Sequence, residues 1–206
     1  MSSAERLIEG AASLGVTLTE ADAARLLTLL EELRRWNRRF NLTAIRAPDM
    51  LTHHLLDSLA VNRDLHGTRI ADAGTGAGFP GLPLAVVNPH RQFTLIDSSA
   101  KKIRFVGHAV QQLQLANVSP VHARVEALEV AVPFDTVVAR AFAPLPRLLE
   151  LVRPLCGPAT RVLAMKGRWP AAELAALPAA WRVRNARELK IPGLDAARCL
   201  IELTPG

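Results

Sequence analysis

Apolar and polar positions follow two different periods along this chain, and the change falls near residue 69. Before it, apolar side chains recur at three- and four-residue steps, the spacing of one helix face. Ser2 to Leu14 predicts a short amphipathic helix, and Gly15 is placed to stop it. Thr19 opens a second helix, with Asp22 three residues on as a capping-box partner. Leu26, Leu29, Leu30, Leu33 and Trp36 form its apolar stripe, with Arg34, Arg35, Arg38 and Arg39 on the other side. Asn41-Leu42-Thr43 interrupts, and Pro48 opens a third helix running through His53, Leu56 and Leu59. Helices with one apolar stripe must dock it on something. Residues 1–68 are therefore expected as a helical extension packed on a core formed by residues 69–206, one compact unit in all.

From residue 69 on, strands and helices alternate. Strands are expected at Arg69–Asp72, Gln92–Asp97, Val118–Arg124, Asp135–Ala139, Arg161–Met165, Trp181–Ala186 and Cys199–Leu203. Helices are expected at Leu82–Val87, Ala100–Leu115, Leu145–Val152 and Ala171–Leu177. Strand–helix units of roughly 20 to 25 residues imply an α/β fold, a mostly parallel sheet covered on both faces.

Composition narrows the classes. With 206 residues, half of them apolar, the chain can bury a sizeable core. No apolar run approaches the ~20 residues of a membrane span, and the amino terminus lacks a signal-peptide pattern, so a cytoplasmic protein is expected. Cys156 and Cys199 make no disulfide framework and are expected as small buried hydrophobes, and the six histidines lack metal-ligand spacing. No metal is expected. The net charge is +6, carried by 21 arginines and four lysines against 19 acids. Residues 1–69 are neutral, nine bases against nine acids, so all of the +6 lies in residues 70–206. Such a charge favours a phosphate-bearing partner.

The chemistry concentrates in Asp72-Ala73-Gly74-Thr75-Gly76-Ala77-Gly78-Phe79-Pro80-Gly81, where the first strand hands over to a helix. Open α/β sheets bind ligands there, and glycines allow tight turns and close approach. Gly76 to Gly81 satisfies the G-x-G-x-x-G dinucleotide pattern, which is weak alone. Asp72 would crowd a pyrophosphate but suits a cationic ammonium or sulfonium, and Pro80 removes an amide that phosphate would use. Asp97, at the end of the second strand, can accept hydrogen bonds from both ribose hydroxyls. Asp72, Gly74, Gly76, Gly78 and Asp97 together favour S-adenosylmethionine.

Val125 and Glu126, after the third strand, are placed to offer an adenine ring an apolar contact and a polar neighbour. Arg140 ends the fourth strand, the usual place for a group acting on the acceptor; a salt bridge to Asp97 or Glu126 is its alternative role. The segment Ala139-Arg140-Ala141-Phe142 lacks the polar residue and paired prolines that amino-nitrogen methylation uses. Neither cysteine is expected near the cleft, which argues against carbon methylation. A ring nitrogen with a free lone pair, such as guanine N7, needs only positioning and electrostatics, with no general base.

Trp36 to Thr43, His54-Leu55-Leu56-Asp57-Ser58, Asp72 to Pro83, Phe93 to Ser98, Lys101-Lys102, Arg124-Val125-Glu126, Ala139 to Phe142 and Lys166-Gly167 carry a close resemblance. Over nearly its whole length the chain resembles the bacterial 16S rRNA (guanine-N7)-methyltransferases of the RsmG/GidB family. That resemblance implies a Rossmann-like class I methyltransferase fold with a seven-stranded sheet and an N-terminal helical region. It implies methyl transfer from S-adenosylmethionine to N7 of the guanine at nucleotide 527, in the 530 loop of 16S rRNA. By matching position Gly74, Phe79, Val125, Glu126 and Arg140 would contact the cofactor region, and Arg124, Arg140 and Arg198 would lie near the cleft or the RNA. Arg140 and Arg124 are thus the expected catalytic residues.

Arg38, Arg39, Lys101, Lys102, Arg124, Lys166 and Arg198 are the expected RNA contacts, with a solvated face as the alternative for the arginines of the second helix. Trp36 and Phe40 are expected to pack, and Trp169 to be exposed. The expected partner is 16S rRNA or the small ribosomal subunit, without DNA or membrane, and the expected state is a monomer. Competing readings are a methyltransferase for another RNA or a small molecule, a dinucleotide-dependent oxidoreductase and a non-catalytic RNA-binding protein.

Overall fold

The computed structural model describes residues 1–206. Two helices open the chain, α1 (Ser3–Ser13) and α2 (Glu20–Phe40). Both start with a capping box. Ser2 Oγ accepts from the Glu5 amide, and Thr19 Oγ1 accepts from the Asp22 amide at 3.0 Å while the Asp22 carboxylate answers the Thr19 amide. Leu26, Leu29, Leu30 and Leu33 are buried, as their spacing requires. Trp36 packs between Phe40, Phe105 and His108, with ring centroids 5.1 to 5.6 Å apart.

The third helical segment differs from the regular helix expected from Pro48. A short 3₁₀ turn (Ala47–Asp49) leads to a π-helical turn at Leu51–Leu56 and then to α3 (Asp57–Leu59). The reason is burial: His54, Leu55, Leu56, Asp57, Ser58 and Leu59 are all buried, so the segment has no polar face to reveal its period.

The core alternates as expected: β1 (Arg69–Ala73), α4 (Gly81–Val87), β2 (Gln92–Asp97), α5 (Ala100–Gln112), β3 (Val118–His122), β4 (Phe134–Arg140), α6 (Leu145–Val152), β5 (Cys156–Lys166), α7 (Ala171–Ala175), β6 (Trp181–Glu188) and β7 (Cys199–Pro205). The third strand stops short of Arg124, which caps a 3₁₀ turn at Val125–Ala127. The sheet order is β3-β2-β1-β4-β5-β7-β6. β1 to β5 are parallel, and β7 runs antiparallel to both β5 and β6. The order reverses between β1 and β4, so the crevice for a ligand opens at their carboxyl ends.

One face of the sheet packs against the N-terminal helices, α4 and α5 in a single apolar cluster that joins Leu7, Leu26, Leu33 and Leu55 to Ile70, Phe93 and Leu95. The other face packs beneath α6 with Val137, Leu148, Val152 and Trp181. Residues 1–68 therefore form, together with α4 and α5, one of the two layers that cover the sheet.

Candidate active site

The glycine loop sits at that reversal, and its backbone explains its composition. Gly74, Gly76 and Gly78 have φ of +70°, +62° and +88°. The Gly74 and Thr75 amides both donate to the Ile96 carbonyl at 2.9 Å. A side chain at Gly74 would collide with the ring of Phe142, whereas one at Gly76 would meet nothing within 4 Å. Gly76 therefore faces open space of the kind a ligand requires.

Asp72 lies under this loop, 1% exposed. Its Oδ2 accepts from Thr75 Oγ1 at 2.6 Å and from the Gly81 amide at 2.8 Å, while Oδ1 is buried without a partner. Burial pushes its carboxyl up to about 6, against the pull of those hydrogen bonds. The sequence pattern has Asp72 facing a cation directly; in the structure it first braces the turn, with one oxygen left over. Asp97 Oδ2 accepts from the Gly76 amide at 2.9 Å and Oδ1 from the Ser99 amide at 2.8 Å, with Lys102 Nζ 3.7 Å away. Each oxygen keeps further acceptor capacity.

Two clefts meet at this edge. The first, roughly 410 Å³, is lined by Gly74, Asp97, Lys102, Val125, Glu126 and Phe142. Val125 is buried and Glu126 exposed, as an apolar wall with a polar neighbour requires. The groups at this edge suit an adenosine-bearing, cationic cofactor: the strand-end carboxylate of Asp97 in the cleft wall, the open Gly76 beside it, and the orphaned oxygen of Asp72 buried beneath the loop. The second cleft, roughly 360 Å³, is lined by residues including His53, His54, Asp57, Arg140, Lys166 and Arg198. Ala141, at φ +49°, lines both.

Arg140 does not pair with Asp97 or Glu126. Its Nη1 donates to Asp57 Oδ2 and to the His53 carbonyl, both at 3.0 Å. Arg198 Nε donates to the other oxygen of the same carboxylate at 3.1 Å. Asp57, 2% exposed, thus clamps two guanidiniums that arrive from different parts of the sheet edge. In the sequence Asp57 stands within a motif, with nothing to mark this role.

His54 faces Arg140 Nη2 through Nδ1 at 3.5 Å, and Thr43 Oγ1 through Nε2 at 3.1 Å. A guanidinium has no acceptor, so Nδ1 carries the lone pair and Nε2–H donates to Thr43. Burial, then Arg140 and His53, push His54 down to about 3, which keeps it neutral. Asn37 holds the other end: its Oδ1 accepts from the Leu42 and Thr43 amides and its Nδ2 donates to the Thr43 carbonyl. His53 Nδ1 donates to the Asp49 carbonyl at 3.1 Å, so in the neutral ring Nε2 carries the lone pair.

Several expected contacts sit elsewhere. Phe79 is buried, stacked on His54 at 4.4 Å and beneath Arg140, because its ring completes the core under the cleft. Lys101 Nζ donates to the Phe40 carbonyl at 3.0 Å, closing the end of α2. Lys166 donates to the Ala143 carbonyl and to Glu173 at 2.8 and 2.7 Å, so its ammonium is already engaged. Arg124 is exposed, 3.9 Å from Glu126. Arg38 and Arg39 are exposed at the end of α2, and Trp169 is half exposed. Cys199, expected away from the cleft, lines the second one, since β7 pairs beside β5 and starts at this edge. It is 1% exposed and burial pushes its thiol up, which makes it a poor nucleophile. Burial pushes the Cys156 thiol up to about 12.

Known proteins share this architecture. The family described as "GidB: rRNA small subunit methyltransferase G" matches residues 22–201. The chain is 49% identical over 200 residues to a "Ribosomal RNA small subunit methyltransferase G" of Methylococcus capsulatus, covering 97% of each. It is 47% identical over 199 residues to the protein of the same name in Chromohalobacter salexigens, covering 96% of this chain and 95% of that one. Among solved structures, the magnesium protoporphyrin IX methyltransferase of Synechocystis superposes with a TM-score of 0.60 at 15% identity, over 92% of this chain and 99% of that one. TrmN from Thermus thermophilus gives 0.58 at 23% identity, over 82% and 53%. At such identities the likeness is one of fold.

Proposed function

The chain belongs to the GidB family of rRNA small subunit methyltransferases, and from that premise we propose that it transfers a methyl group from S-adenosylmethionine to N7 of a guanine in 16S rRNA. The guanine at nucleotide 527 is the acceptor that this reading names. One observation carries it: an adenosine-sized cleft and a cationic cleft meet at Ala141, beside Arg140. A dinucleotide reading fits less well, because Asp72 lies buried beneath the loop where a pyrophosphate would rest.

When bound, S-adenosylmethionine supplies an electrophilic methyl group on a sulfonium. Asp97 has the acceptor capacity to hold ribose hydroxyls, Val125 and Glu126 flank the place for adenine, and the spare oxygen of Asp72 suits the ligand's positive charge. In the second cleft, Arg140 and Arg198 offer guanidinium donors to O6 of guanine, which leaves the N7 lone pair free to take the methyl group as the sulfonium's C–S bond breaks. Nε2 of His53 suits the donor edge of the base. Guanine N7 carries no proton, so no side chain needs to remove one, and the rate gain comes from orientation and from exclusion of water. Asp57 and His54 hold Arg140 in place. Of the other expected RNA contacts, Arg38, Arg39 and Arg124 are exposed, and Arg124 shares the rim of the first cleft with Lys102. No helix is long and apolar enough to cross a membrane, and with an rRNA substrate this supports a cytoplasmic site of action.

The test incubates the protein with labelled cofactor and with 16S rRNA, naked or in small subunits, from cells lacking the gene. Label at N7 of the named guanine is expected, and label confined to another nucleotide would overturn the assignment. Arg140→Ala should cut methyl transfer at least tenfold more than it weakens cofactor binding. Equal losses would move Arg140 to a purely cofactor-binding role.

A further inference from the structure

The cationic cleft continues into a hollow on each side. Ile45 is shared with a groove lined by Arg34, Arg38 and Arg46. Leu189 is shared with a hollow between the helical layer and the end of β6, lined by Arg63, Asp64, Arg187 and Lys190. Strand register places this second hollow on the carboxyl edge. Arg140 pairs with Met165, Met165 with Leu200, and Leu200 with Arg187. At about 4.8 Å per strand, Arg187 lies roughly 14 Å from Arg140 across the edge.

The charge there is unbalanced. Arg187 pairs with Asp64 at 2.7 Å, but Arg63 and Lys190 are exposed and have no acidic partner. The Arg63 side chain passes close to Gly15, where an added Cβ would come within 3.1 Å of its Cδ and Nη1. Cations on an edge strand commonly block strand pairing between molecules, which accounts for exposed Arg182 and Arg184 on β6. It does not account for Arg63, on a different element, or for Lys190, beyond the end of β6.

We propose that Arg63, Arg187 and Lys190 hold backbone phosphates of the RNA strand that carries the acceptor guanine. The inference rests on the rRNA reading above and extends it to a surface. At about 3.4 Å of rise per stacked nucleotide, ~14 Å places the held phosphates on the order of four nucleotides from the acceptor. The cations contact phosphate without reading bases, so they contribute affinity and register.

The experiment measures binding of a fluorescent 16S rRNA fragment spanning the acceptor by anisotropy, across a series of salt concentrations. It compares the wild type with the double variant Arg63→Gln/Lys190→Gln and with Arg153→Gln/Arg182→Gln, which removes equal charge outside the hollow. Loss of two single-strand phosphate contacts should lower the slope of log affinity against log salt by about 1.4, with cofactor affinity unchanged. An unchanged slope in the first variant, or an equal fall in the second, would overturn the proposal. Wild-type protein that binds the fragment with the full slope yet transfers no methyl would sink the catalytic reading and leave the phosphate site standing. Wild-type protein that methylates while the first variant keeps its slope would sink the phosphate site alone.

Discussion

Asp72 is an acid held out of water beneath a turn of glycines, and its burial pushes the carboxyl up to about 6 from an ordinary value of 3.8. Between those values the folded chain holds a proton that the unfolded chain has released. Stability from this group is therefore full at low pH and declines as pH rises from about 4 to about 6, by on the order of 3 kcal/mol. A cationic ligand held over the glycine loop would favour the ionised form of the carboxyl beneath it. Cofactor affinity should accordingly rise between pH 5 and pH 7.5, and Asp72→Asn should flatten that rise while raising thermal stability at pH 7.5. Calorimetric titration at the two pH values checks this, and equal affinities in the wild type would show that Asp72 does not sense the ligand. The carboxylates at positions 72 and 97 are legible in the sequence because each ends a strand before a turn. The orphaned oxygen of Asp72 is not, since it depends on which amides and hydroxyls the folded loop brings near.

Among the elements, α3 has a role that its length of three residues conceals. Through Asp57 it ties the end of β4 to the residue ahead of β7, with Arg140 and Arg198 on separate oxygens of one carboxylate. Removing one partner of a buried ion pair leaves the other uncompensated. Asp57→Asn should cost on the order of 3 kcal/mol, or ~6–12 °C in Tm for a chain of this size. It should lower kcat at least tenfold while cofactor affinity changes little, because Arg140 loses its anchor. Thermal melts and steady-state kinetics read both effects, and a loss of cofactor affinity as large as the loss of kcat would place the clamp in service of the first cleft. The regular elements are legible because half-buried helices and strands display their period. Leu51 to Leu59 reads in sequence as a plain helix, and its true winding is hidden because its side chains are buried on nearly every side. Its partners are hidden for another reason: Arg140 lies 83 residues from Asp57, and Arg198 lies 141.

For the whole molecule, the apolar cluster crosses the boundary at residue 68 without a break, joining Leu7 and Leu33 to Phe93 and Leu95. The chain should unfold in a single thermal transition, and residues 69–206 expressed alone should fail to fold cooperatively, since the apolar surface of the sheet, α4 and α5 that packs on the N-terminal helices would lie open to water. Two resolved transitions, or a cooperative melt of the isolated fragment, would instead divide the chain into two independent domains. The charge pattern gains a meaning at this scale too. Residues 1–69 are neutral in sum, yet they supply Arg63 to the hollow and Asp57 to the clamp. The order of helices and strands, the helix caps, the glycine turn and the carboxylates at two strand ends follow from the residue pattern alone, and the motifs point to the family. These depend on backbone preference and burial period, which act over a few residues. The partner of Arg140, the tautomer of His54, the place of Cys199 and the continuity of the clefts emerge only on folding. Strand register and layer packing set them, bringing together side chains that no local pattern connects.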